Sequence, residues 1–144
     1  MEPIKVLIVD DDPDWLSIII QLLKREPDFS IVGTAINQAD ALDWVRGTDM
    51  DIVLLDLNLS GDQYDGITTA LDMLRIKPLK IIITSFQDEE RIAGAMKANA
   101  VNFMNNRNYQ EFAAKIRDEF HNHVPAQEME ERFRRLSGAL KRND

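Results

Sequence analysis
The sequence predicts an α/β fold: a doubly wound, five-stranded parallel sheet followed by an extra C-terminal helix. Three observations carry this. Five short apolar runs, mostly rich in Val and Ile, are nearly unbroken rather than alternating, as in strands covered on both faces. Stretches with helical spacing lie between them, so strand and helix alternate, which implies a parallel sheet with right-handed crossovers. The length of 144 residues suits one domain with a short appendage, and buries enough surface for a core without staples.

The elements follow in order. The first run is Ile4–Val9. Asp12-Pro13 then opens a helix, with a cap residue ahead of Pro at the first helical position. Its apolar residues Leu16, Ile19, Ile20 and Leu23 recur at helical spacing. The second run is Ser30–Ala35, and Asn37 caps the helix after it. Asp40 stands where an acid favours a helix start, and Ala41, Leu42 and Val45 form the inner face. The third run is Ile52–Leu55, with a helix predicted over Ile67–Ile76 and stopped near Pro78. The fourth is Ile81–Ile83, followed by a helix over Gln87–Ala98. The fifth, Val101–Met104, precedes a helix over Tyr109–Phe120.

Pro125 punctuates the end of this domain, expected to span residues 1–122, with 123–144 as a helical extension or linker. There Met129, Phe133, Leu136 and Leu140 are spaced by four, three and four. The stripe reads either as a helix packed on the domain, or as a connector to an output domain outside these residues or a homodimer seam. About one and a half heptads are too few to assert a coiled coil.

Composition narrows the function classes. Lys+Arg 17 against Asp+Glu 25 gives a formal charge of −8, and the pI is about 4.7, which argues against direct nucleic-acid binding. Residues 127–144 carry +1, so the remainder carries −9. The absence of cysteine excludes disulfides, thiolate metal sites and thiol catalysis, and fits a cytoplasmic protein. No apolar run approaches the ~20 residues of a bilayer span, and Met-Glu-Pro-Ile-Lys lacks the order of a signal peptide, so no membrane association is expected.

In an open parallel sheet, ligands sit beyond the carboxyl ends of the strands. Here the first run ends in Asp10-Asp11-Asp12, the third in Asp56 and the fourth in Thr84-Ser85. Asp12 before Pro13 reads as a helix cap. Each remaining acid alone would pass for a loop residue. Several at neighbouring strand ends repel one another unless a cation or a proton intervenes. Mg²⁺, which takes one or two carboxylates, other oxygens and several waters, is the natural cation.

Three segments, Val6-Leu7-Ile8-Val9-Asp10-Asp11-Asp12-Pro13, Ile52-Val53-Leu54-Leu55-Asp56-Leu57-Asn58-Leu59 and Ile82-Ile83-Thr84-Ser85, together resemble the receiver domain of two-component response regulators. The resemblance covers about Lys5 to Phe120 and implies the flavodoxin-like (βα)5 fold. It implies that Asp56 accepts a phosphoryl group from a sensor histidine kinase or phosphotransfer protein. Asp10 and Asp11, with Asp56 and the backbone carbonyl of Asn58, would hold Mg²⁺. Thr84 matches the switch hydroxyl, and Phe103 the switch aromatic. A carboxylate nucleophile forms an aspartyl phosphate, by positioning and charge neutralisation. Such a protein is no conventional turnover enzyme, but a self-phosphorylating acceptor with autodephosphorylation as its turnover. It switches a protein–protein interaction or an oligomeric state.

The sequence departs from the family at several places. The Lys usual at the end of the fifth strand is replaced by Asn106, with Arg107 one position on as the candidate substitute. Lys97 and Lys80 are poorer substitutes by position. Asn99 stands where Gly is usual, the loop Ser60–Gly66 is longer than usual, and Ser85 replaces a common Ala. The alternative function is therefore a phosphorylation-independent, receiver-like protein-binding module, favoured by Asn106. A haloacid-dehalogenase-type phosphatase would make Asp10 the nucleophile, but the chain is short for that fold and Asp56 would be idle.

Overall fold
The computed structural model describes residues 2–56, 59, 63–83, 111–121 and 126–142. Numbered in chain order, the described elements are β1 Ile4–Val9, α1 Pro13–Lys24, β2 Phe29–Ala35, α2 Gln38–Gly47 and β3 Ile52–Leu55. They continue with α3 Gln63–Ile76, β4 Lys80–Ile83, α4 Phe112–His121 and α5 Ala126–Arg142. The strands form one parallel sheet in the order β2-β1-β3-β4. This is the doubly wound arrangement, with β1 and β3 inside and the strand order reversing between them. The fifth strand expected at Val101–Met104 and the helix expected at Gln87–Ala98 lie outside the described residues.

The unbroken apolar runs have a direct structural cause. Successive side chains of a strand point to opposite faces, and here both faces are covered. Val6 and Ile8 of β1, with Ile52 and Leu54 of β3, face Ile19 and Leu23 of α1 and Phe112 and Ile116 of α4. Trp15 meets the Phe112 ring edge-on, with centroids 6.4 Å apart. Leu7, Val9, Val53 and Leu55 face the other way, toward Ala41 and Val45 of α2 and Ala70 and Met73 of α3. Met129 and Phe133 of α5 are buried in that same cluster, because α5 lies on α3 and β4. Of the two readings of the C-terminal stripe, these residues follow the packed one. The side chains of Leu136 and Leu140 lie outside the described set.

Local signals set the helix starts. Asp12 caps α1, its carboxylate accepting from the N–H groups of Asp14 at 3.0 Å and Trp15 at 3.4 Å. Asn37 caps α2, accepting from the Asp40 N–H at 2.9 Å. Helix α3 begins at Gln63, four residues before the predicted start, and so absorbs part of the loop read as Ser60–Gly66. The early turn is polar, and apolar periodicity is blind to it. Along β2 the register with β1 slips: Val6 pairs with Ile31 but Leu7 with Gly33. Two residues of β2 thus oppose one step of β1, as in a bulge. Gly33 lies under the Trp44 ring, where a Cβ would come within 2.8 Å of it.

Candidate functional site
Parallel pairing brings two strand ends level. Val9 pairs with Leu55, so the next residues, Asp10 and Asp56, leave the sheet side by side. Their backbones are still tied to it. The Asp56 N–H donates to the Val9 carbonyl at 2.9 Å, and the Asp10 N–H to the Ala35 carbonyl at 3.0 Å. Asp10 is 1% exposed and Asp56 5%, whereas Asp11 is exposed. One carboxylate oxygen from each of Asp10, Asp11 and Asp56 falls within a 4.8 Å cluster.

The three acids are not equivalent. One oxygen of Asp10 accepts from the Asp12 N–H at 2.9 Å, while its Oδ2 is buried without a hydrogen-bond partner. Burial pushes the Asp10 carboxyl up to about 7, and the charges of Asp56, Asp11 and Asp12 push the same way, against the lowering effect of the Asp12 N–H. A buried acceptor left unmatched costs about 1–3 kcal/mol. A hard cation among these oxygens removes both the unmet lone pair and the repulsion. The donor set therefore fits Mg²⁺, which prefers carboxylate and water oxygens. Asp12 does not join, since its carboxylate is spent on the α1 cap.

The sequence-predicted residues thus divide. Asp10, Asp11 and Asp56 are brought together. Asn58, Thr84, Phe103, Asn106 and Arg107 lie outside the described residues. Lys80 starts β4 opposite Ile52, at the end of the sheet away from the acids, so it stands far along the strand from Asp56. His121 is exposed at the end of α4, with its ring against Phe120. Sequence reasoning treated the strand-end acids as a set. It missed that the backbone turn at Asp12 occupies one Asp10 oxygen and leaves the other orphaned.

The response regulator receiver domain family matches residues 6–117. The chain belongs to that family. Receiver domains are the phosphorylated modules of two-component response regulators, and they bind Mg²⁺ at an acidic pocket. The nitrate/nitrite response regulator protein NarL of Escherichia coli K12 is 35% identical over 106 residues, 72% of this chain and 48% of that protein. A protein-glutamate methylesterase/protein-glutamine glutaminase of Methanospirillum hungatei is 34% identical over 96 residues, 66% of this chain and 27% of that protein. The chain thus spans about half or less of the length of these relatives. In fold it is similar to the receiver domain of NarL from Mycobacterium tuberculosis. The TM-score is 0.71 at 22% identity, covering 85% of this chain and 100% of that one. The response regulator domain of Thermotoga maritima CheB is similar too, with a TM-score of 0.69 at 20% identity, covering 85% of this chain and 100% of that chain. Among the described residues no helix is long and apolar enough to cross a membrane.

Proposed function
We propose that Asp56 is the phosphoacceptor of this receiver domain, taking its phosphoryl group from a histidine kinase or phosphotransfer protein in the cytoplasm. The observation that carries this is the meeting of Asp56 with Asp10 and Asp11 at adjoining strand ends. Asp56 is held by its backbone at the end of β3, which places its carboxylate at the sheet edge beside Asp10. One of its oxygens forms a bond to phosphorus while the bond to the donor imidazole breaks, and that imidazole leaves with the electron pair. Asp10, Asp11, Asp56 and the Asn58 carbonyl are the groups that would hold Mg²⁺. When bound, the ion supplies positive charge that lets the acids and the phosphoryl oxygens share one small space. Exposed Asp11 leaves the outer side of the cluster open to solvent and donor.

Thr84 follows β4 in sequence, and we assign it the hydroxyl that donates to a phosphoryl oxygen after transfer, with Phe103 as the switch aromatic. The contact exists in one state only, which is what a two-state element needs. Asn106 leaves the phosphorylated state one cation short, and Arg107 is the candidate to supply it. We take residues 1–122 as the receiver unit and 123–144 as its extension. The test is incubation with Mg²⁺ and acetyl phosphate, read by intact mass. A hydroxylamine-labile phosphoryl adduct on wild type and none on Asp56→Asn is expected. An equal adduct on both proteins would remove Asp56 from the role. No adduct on wild type, together with no binding of beryllofluoride, would favour the phosphorylation-independent module.

A further inference from the structure
Helices α4 and α5 both close the apolar layers, but they are held in different ways. Helix α4 is tied down by charge as well as by packing. Arg117 donates to Asp28 and Glu26, in the turn before β2, and its guanidinium lies 5.3 Å from the centre of the Phe29 ring. Helix α5 is seated by Met129, 4% exposed, and Phe133, fully buried. The ion pairs described for its arginines all lie within the helix itself. Arg132 pairs with Glu128 at 3.2 Å, Arg134 with Glu130 at 2.7 Å and Arg135 with Glu131 at 3.6 Å. Each has the acid four residues ahead of the base, the orientation that stabilises an isolated helix.

Lys80 of β4 is partly buried beside α5. Burial lowers its ammonium pKa, and the positive charge of Arg132 lowers it further, against Glu119. The seat itself is apolar. Leu59, Ala70, Met73 and Ile81 share one buried cluster with Met129 and Phe133.

We infer that the α3–β4 face is a helix-docking surface whose built-in occupant, this chain's own α5, seats and leaves reversibly while the rest of the domain stays folded. The basis is that the described anchors of this helix, Met129 and Phe133, are apolar, and that its described ion pairs all stay within itself. The chemistry that fits the seat is an amphipathic helix with large apolar residues at i and i+4 and a charged outer face. The inference does not depend on phosphoryl transfer.

The chain has no cysteine, so single thiols report without background. Full-length Met129→Cys, Met50→Cys and Ala113→Cys would be labelled with a thiol reagent under native conditions. All three positions are buried: Met50 between α2 and β3, and Ala113 on α4. Local opening of α5 predicts that the Met129→Cys thiol reacts at least ~50-fold faster than either control. Its rate should also rise only weakly with urea, since little surface is exposed. Equal rates with equal urea slopes would mean that α5 leaves only when the whole domain unfolds, and would overturn the inference. If Met129→Cys fails to fold, ¹³C-methyl methionine NMR on the wild-type chain replaces it. Exchange broadening at Met129 with a sharp Met50 signal supports release, and identical behaviour of the two contradicts it.

Discussion
Neutralising Asp10 should stabilise the metal-free protein at high pH and abolish its response to Mg²⁺. The folded state holds the Asp10 proton more tightly than the unfolded chain does, with a pKa of about 7 against an ordinary 3.8. Stability from this group is therefore fully present below pH 4, declines as pH rises from 4 toward 7, and is lost above 7. At about 1.4 kcal/mol for each pH unit, the difference sets an upper limit of roughly 4 kcal/mol. Asp10→Asn keeps the acceptor for the Asp12 N–H, and its amide N–H groups can donate to the neighbouring carboxylates. Burying the amide offsets part of the gain, so about 2 kcal/mol is expected, or roughly 5–10 °C in Tm. The assay is thermal unfolding of both proteins at pH 4 and pH 8, with EDTA and with Mg²⁺. Asp10→Asn should exceed wild type only at pH 8 in EDTA, and only wild type should gain from Mg²⁺. A variant less stable than wild type at pH 8 in EDTA, or a difference equal at both pH values, would refute the reasoning.

Other outcomes follow from the packing. Arg117→Ala should cost about 1–2 kcal/mol in urea unfolding, modest because the network is about one-third exposed. Arg117 holds the Asp28 carboxyl below its ordinary value, so the benefit of that pair is present above pH 4 and is lost as pH falls through the depressed pKa. In Arg117→Ala that acid-side loss should shrink. Gly33→Ala puts a methyl within 2.8 Å of the Trp44 ring, and should cost about 1–3 kcal/mol with a change in tryptophan emission. Phe112→Ala should cost about 3–5 kcal/mol in global stability, as a buried α4 aromatic against Trp15. Phe133→Ala, equally buried, should cost less, because its effect is capped at the free energy of seating α5. Equal costs, measured by denaturant midpoints at constant slope, would contradict the difference between the two helices.

Much of this was legible in the residues. Strands covered on both faces must be apolar throughout, so β1 and β3 could be read to the residue. The caps at Asp12 and Asn37 were legible because a side-chain acceptor beside the first apolar turn has few other uses. The start of α3 was not, because its first turn is polar and carries no period. The β2 slip was hidden too, because nothing in the apolar run Ser30–Ala35 marks the step between Ile31 and Gly33. At the site, the convergence of Asp10 and Asp56 followed from placing both at the carboxyl ends of strands in one parallel sheet. The exposure of Asp11 and the orphaned Asp10 oxygen did not, because they depend on how the chain turns after Val9. The seat of α5 lay outside the reach of periodicity, since a stripe of Met129 and Phe133 does not say which surface it covers.

The most direct test of the account is to find which acid carries the phosphoryl group. Protein treated with acetyl phosphate and Mg²⁺ would be reduced with borohydride, which converts an aspartyl phosphate to homoserine, and then mapped by peptide mass spectrometry. The account predicts homoserine at Asp56, dependent on Mg²⁺, with Asp10 and Asp11 unchanged. Homoserine at Asp10 would contradict it and make the first strand's acid the nucleophile.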